Sequence, residues 1–156
     1  MLDEVDCKIL DAVQKNGRVR RSDLAELVGL SLPAASDRLR KLEERGFILG
    51  YTAVLDHQKF DKDVTAFVHV FVDTSRHYED FLKHVDGNPE ILECHAITGE
   101  GTHLLKIRTT NTSSLERVLS QIQSWKEVQR TRTSIVLSTR KETLNIAITD
   151  SHNTSK

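Results

Sequence analysis

Residues 23–41 read DLAELVGLSLPAASDRLRK. Leu24, Ala25, Leu27 and Val28 form a short apolar helix, Gly29-Leu30-Ser31 a turn, and a second helix starts near Leu32 with Ala35, Leu39 and Leu42 on one stripe. Two short helices joined by a turn that holds a glycine and a hydroxyl N-cap are the signature of a helix-turn-helix, whose second helix enters a DNA groove. Upstream, Val5, Ile9, Leu10 and Val13 make one apolar face of a helix over 4–15. Asp3, Glu4 and Asp6 complement its dipole at the start, and Asn16-Gly17 end it with residues that tolerate a left-handed conformation. Ser22 is expected to cap the second helix and Gly29 to close it. Ser31 caps the third and places Pro33 in the first turn, where a missing N–H costs nothing. Asp37, Arg40, Lys41 and Glu44 fall opposite the apolar stripe, and Gly46 after Arg45 suits a C-cap.

Downstream the period changes. Phe47 to Leu55 is an extended segment or wing, and the polar run from Asp56 to Asp63 is the natural domain boundary. Val64 to Val72 alternates as a strand, with Val64, Ala66, Val68, Val70 and Val72 on one side and Phe67, His69 and Phe71 on the other. A helix carrying Tyr78, Phe81, Leu82 and Val85 stops at Gly87-Asn88-Pro89, followed by a strand over 90–97, a tight turn over 98–101 and a strand over 102–109. Asn111-Thr112-Ser113 then caps a helix with Leu115, Val118, Leu119, Ile122 and Trp125, and 128–137 is a fourth strand. This βαββαβ order predicts a ferredoxin-like αβ sandwich with both helices on one face of an antiparallel sheet. Phe67, Phe71, Ile91 and Ile97 are expected on the face opposite the valines and Leu92, Cys94 and Ala96. Both series read as too apolar for water, which predicts self-association through the sheet. Leu144, Ile146 and Ile148 alternate as an extra strand, paired within the chain or onto a neighbour. The division is therefore 1–50 for the helix-turn-helix domain, 51–63 for a hinge strand and linker, 64–150 for the regulatory and oligomerisation domain, and 151–156 for a flexible tail.

A chain of 156 residues with 38% apolar content suits two small domains better than one large core. A net charge of -1 excludes a broadly basic binder, although residues 18–45 carry seven Lys or Arg against five Asp or Glu. Cys7 and Cys94 form no CxxC pair, so reduced intracellular thiols are expected, and with no apolar run of membrane-spanning length the reading is a soluble, cytoplasmic protein. No nucleophile elbow, P-loop or convincing metal set is present, so no enzyme, metal or cofactor is expected.

Ser31, Pro33, Ala34, Ser36 and Asp37 occupy the groove-facing end of the third helix. Small side chains there permit close approach, and Asp37 either accepts from a cytosine amino group or pairs with Lys41 at i+4. Arg18, Arg20 and Arg21 precede the second helix, where the chain crosses the DNA backbone in such motifs.

The segments Leu2 to Leu10, Gly17-Arg18, Leu24-Ala25, Val28 to Ser31, Arg38 to Ile48 and Gly50-Tyr51 strongly resemble the opening of the Lrp/AsnC (leucine-responsive, feast/famine) transcription factors. The likeness continues through Glu93-Cys94-His95, Gly99, Leu104-Leu105-Lys106 and Thr131-Arg132-Thr133. It implies a winged helix-turn-helix, an αβ regulatory domain that forms dimers and builds tetramers or octamers, and double-stranded DNA as partner. It also implies control of metabolic genes by an amino acid or related metabolite bound between regulatory domains, near Thr98, Gly99, Glu100, Gly101, Thr102 and Thr133. Arg38, Arg40 and Lys41 resemble the cationic stretch of the family's third helix. Where the family pattern after the glycine runs acidic, aromatic, aspartate, this chain has Glu100, Gly101 and Thr102, so the charge that would hold an ammonium is missing. An effector-independent architectural DNA binder, or a ligand-sensing partner subunit with weak DNA contact, are the other readings.

Overall fold

The computed structural model describes residues 2–73 and 78–148, which form two compact units. The expected tail over 151–156 lies outside the described residues.

The described residues of the first unit are 2–54 and 142–148. Its helices are α1 (Glu4–Lys15), α2 (Arg21–Val28) and α3 (Leu32–Glu44). Asp3 caps α1 in a reciprocal box with Asp6, each side chain accepting the other's backbone N–H. Arg20, not Ser22, is the N-cap of α2, and no side chain bonds there: the Ser22 hydroxyl donates to Asp23 instead. Gly29 closes α2 at φ 66°, a left-handed position that a side chain would strain. Ser31 caps α3 by accepting from Ala34 N–H at 3.4 Å. Asn16 ends α1 in an extended, not left-handed, conformation.

Ile9, Leu10, Val13, Leu24, Leu39 and Leu42 make the core of this unit. A bundle this small buries little apolar surface, and Ile148 from the C-terminal segment packs against it. The Gln14 side-chain amide donates to the Ile146 carbonyl at 2.9 Å and accepts its N–H at 3.1 Å, a two-point clamp. Residues 142–148 group with the helical unit and form no strand there, so the extra strand expected at Leu144, Ile146 and Ile148 is not formed. Residues 47–54 likewise form no strand among the described residues.

The second unit, Leu55–Lys141, opens with a short 3-10 turn at His57–Phe60, within the polar run read as linker. It then contains β1 (Val64–Val72), α4 (Tyr78–Asp86), β2 (Ile91–Ala96), β3 (His103–Thr109), α5 (Thr112–Ser124) and β4 (Val128–Ile135). The sheet order is β2-β3-β1-β4, all neighbours antiparallel. Ala66, Val68, Val70, Val72, Phe81, Leu105, Ile107, Val118 and Ile122 are buried between sheet and helices.

The opposite sheet face differs from expectation in two ways. Leu92 is the extra residue of a bulge between Ile91 and Glu93, which puts Ile91 opposite Ile107 and against the helix-side core together with Cys94. Phe67 and Phe71 do lie on the open face, but the register sets Lys106, Arg108, Arg130 and Arg132 beside them. That face is mixed rather than apolar, and the Arg130 guanidinium sits 4.0 Å over the Phe71 ring. Among the described residues no helix is long and apolar enough to cross a membrane.

Candidate nucleic-acid interface and regulatory loop

The burial of Ala35, Leu39 and Leu42 turns the other side of α3 outward. Ser31 and Pro33 are exposed at its first turn, Ala34, Ser36 and Asp37 are half-buried, and Arg40 and Lys41 are exposed. These cations are internally compensated. Arg40 pairs with both Asp37 and Glu44, and Lys41 reaches Asp37 at 2.7 Å. Lys41 first and Arg40 second hold the Asp37 carboxyl below the ordinary aspartate range. The i+4 pairing of Asp37 is therefore formed in this chain. It does not prevent a phosphate, a stronger and multiply charged acceptor, from competing for the same cations.

Arg38 stands apart from Arg40 and Lys41. Its guanidinium donates to Asp3 and, at 3.0 Å, to the buried Asp6, tying the middle of α3 to the first turn of α1. At the α1–α2 turn Arg20 is engaged by Asp23 at 3.0 Å, whereas Arg18 and Arg21 are exposed. Among the described residues neither Arg18 nor Arg21 has a carboxylate partner. Two further contacts were not legible in the sequence. The Tyr51 hydroxyl donates to Glu43 at 2.8 Å, holding the extended segment against α3, and Arg45 lies 4.7 Å over the Phe47 ring. Burial first, and then the Glu43 carboxylate, push the Tyr51 phenol up to about 12.

In the second unit Thr98 to Thr102 connect β2 to β3. Glu100 is gripped by Arg132, which keeps its carboxyl below the usual glutamate range, and its carbonyl bonds His69 Nδ1 at 2.9 Å. The Thr102 hydroxyl donates to Val70 C=O at 3.1 Å and accepts Val72 N–H at 2.9 Å. Thr133 pairs with Val68 and so sits on the helix side of the sheet, whereas Arg132 beside Glu100 pairs with His69 on the open side. The loop residues are thus brought together and Thr133 is not among them.

The family model described as Lrp/AsnC ligand binding domain matches residues 65–146, and a winged helix-turn-helix DNA-binding model matches 2–48. The chain belongs to the Lrp/AsnC family. A proline dehydrogenase transcriptional activator of Rhizobium radiobacter is 39% identical over 145 residues, covering 91% of this chain and 93% of the relative. A transcriptional regulator of Neisseria meningitidis solved with L-Met superposes with a TM-score of 0.91 at 34% identity, over 94% of this chain and 97% of that one. AsnC of Escherichia coli superposes at 0.84 with 26% identity, over 91% and 96%. This Lrp/AsnC chain is an HTH-type transcriptional regulator. The departure that the resemblance implies at Gly101 and Thr102 has a structural counterpart. At the position of the aspartate, Thr102 spends its hydroxyl on the backbone of β1, and Gly101, at φ 88°, has Val70 C=O only 3.2 Å from where a Cβ would lie.

Proposed function

We propose that this regulator binds double-stranded DNA through two copies of α3 set in successive major grooves, carried by a body that dimerises through the open sheet face. The observation that carries the reading is the outward side of α3, where small residues at the first turn are followed about two turns later by exposed Arg40 and Lys41. Ser31, Pro33, Ala34 and Ser36 permit approach to base edges, and Arg40, Lys41, Arg18 and Arg21 meet phosphates. Arg20 joins them only by leaving Asp23, and Arg38 acts through α1. Half-buried Phe67 and Phe71, which no helix among the described residues covers, favour a second copy of the sheet as the partner. Assembly beyond the dimer, to a tetramer or octamer, follows the family resemblance, as does a cytoplasmic site of action.

The reading extends to genes of amino-acid or related metabolism and to a small effector. The L-Met bound to the Neisseria relative supports an amino acid or similar metabolite. Here it would meet backbone amides at Gly99 to Gly101 rather than a carboxylate, because Glu100 is neutralised by Arg132 and Thr102 is spent. The same two observations favour an effector-independent binder as the second reading. Fluorescence anisotropy on selected operator DNA tests the first claim: Arg40→Ala with Lys41→Ala should weaken binding and reduce the salt slope by about two. An unchanged slope would remove α3 from the interface. Native mass measurement with and without amino acids tests dimerisation and effector control together.

A further inference from the structure

On the helix side of the sheet unit, Glu127 is 5% exposed, and its backbone carbonyl accepts Asp73 N–H at 3.0 Å. Its carboxylate Oε2 is buried and has no hydrogen-bond partner among the described residues. Nδ1 of His84 stops 3.8 Å short, beyond hydrogen-bond reach. A carboxylate oxygen withdrawn from water and given no donor is costly, and a charged donor relieves most of that cost.

Glu127 lines a cleft of about 440 Å³ with Asp80, Lys83, His84, Trp125 and Lys126, within the ~300–1,000 Å³ range of small-molecule sites. Trp125 is a rigid wall: it is buried, meets Phe81 edge-on at 6.0 Å, and stacks on His84 at 5.1 Å. His84, in the last turn of α4, has its imidazole nearly half exposed and can turn out to solvent. Lys83 is bonded to Asp80 at 3.0 Å, which leaves exposed Lys126 as the cation at the mouth.

We propose that this cleft binds a small molecule through a primary ammonium group, received by Glu127 against the Trp125 wall as His84 swings aside. Among the described residues no group of three or more His, Cys, Asp or Glu is placed to hold a metal ion, which favours an organic cation. Lys126 at the mouth offers a partner for an anionic group, so a simple alkylamine and a zwitterion share the chemistry that the floor recognises. The site has no residue in common with α3 or with the 98–102 loop, and it stands whether or not the DNA reading does.

Trp125 is the single tryptophan of the chain, so its fluorescence in the full-length protein reports the cleft directly. Titration with n-butylamine should give a saturable change as the imidazole leaves the indole. Butyrate should give none, and butyltrimethylammonium, which has no N–H to donate, should bind at least about tenfold more weakly. Glu127→Gln should lower n-butylamine affinity at least about tenfold while circular dichroism stays unchanged. Norleucine separates the two sources: tighter binding than n-butylamine, lost in Lys126→Ala, identifies a zwitterion, and equal binding identifies a simple amine. Absence of a saturable response to any amine overturns the proposal. So does equal binding of the amine and its trimethyl analogue, which needs only the unsubstituted protein and decides the matter if Glu127→Gln does not fold.

Discussion

The guanidinium of Arg38 donates to Oδ1 of Asp6 at 3.0 Å, so a cation from the middle of the recognition helix closes onto the first turn of α1, 32 residues away in sequence. Asp6 is buried while its partner is half-exposed, which makes the pair a structural fastener more than a surface ornament. It also sets the orientation of α3 against the bundle.

Arg38→Ala should therefore lower the unfolding free energy by about 1–3 kcal/mol, because buried Asp6 loses its charged donor and keeps only the Asp3 N–H. Urea denaturation read by helical ellipticity measures the loss, and Arg38→Lys should recover part of it. Weakened DNA binding at unchanged stability would instead put Arg38 on the DNA.

Asp37→Asn releases Arg40 and Lys41 from their shared carboxylate. DNA affinity at low salt should rise roughly threefold through the removed negative charge, and the gain should vanish at high salt. A fall in affinity confined to one operator sequence would show that Asp37 reads a cytosine amino group.

His103 is buried, bonded to Tyr78 Oη at 3.0 Å and to Thr102 Oγ1 at 3.0 Å, and desolvation holds its pKa below the free-histidine value. The unfolded chain takes up this proton more readily than the folded one. Stability is thus fully present above about pH 6.5 and is lost as pH falls from there toward the folded pKa. Urea midpoints between pH 7.5 and 5 should decline, and His103→Phe should flatten that part of the profile. An identical decline in the variant would assign it to other groups.

Gly101→Ala places a methyl 3.2 Å from Val70 C=O at φ 88°, whereas Gly99→Ala, at φ 94°, meets only open space. Both are strained by about 1 kcal/mol or more, and the Gly101 variant should melt at the lower temperature of the two. Equal melting temperatures would mean that the β2–β3 connection relaxes freely around the added methyl.

Gln14→Ala removes both bonds to the Ile146 backbone. Amide exchange at Ile146 should accelerate and the segment should become a protease target, with a stability loss near 1 kcal/mol. Unchanged exchange would mean that Ile148 alone retains the segment.

The helix-turn-helix was legible because its information is local. The i, i+4, i+7 spacing of Ala35, Leu39 and Leu42, the Ser31 cap and the Gly29 turn lie within one another's reach along the chain. The alternation of Val68, Val70 and Val72 against Phe67, His69 and Phe71 likewise assigned the faces of β1 before any fold was known. The candidate site was legible only as a list of residue types on α3, with the chemistry that the family resemblance implies. It could not reveal which of those side chains were already engaged.

That engagement is a property of distance in space. The helical wheel sets Arg38 nearer the buried edge than Arg40 and Lys41, yet only packing brings Asp3 and Asp6 to it. One inserted residue at Leu92 moved Ile91 to the other face of the sheet, since side chains alternate with a period of two. Thr102 lost its free hydroxyl, and Glu127 its solvent, to partners and walls from other strands and helices. Local periodicity by itself determined which elements form and which way their apolar faces point. Only the tertiary structure decided which charges remain available, because pairing and desolvation depend on groups that the chain brings together from far apart.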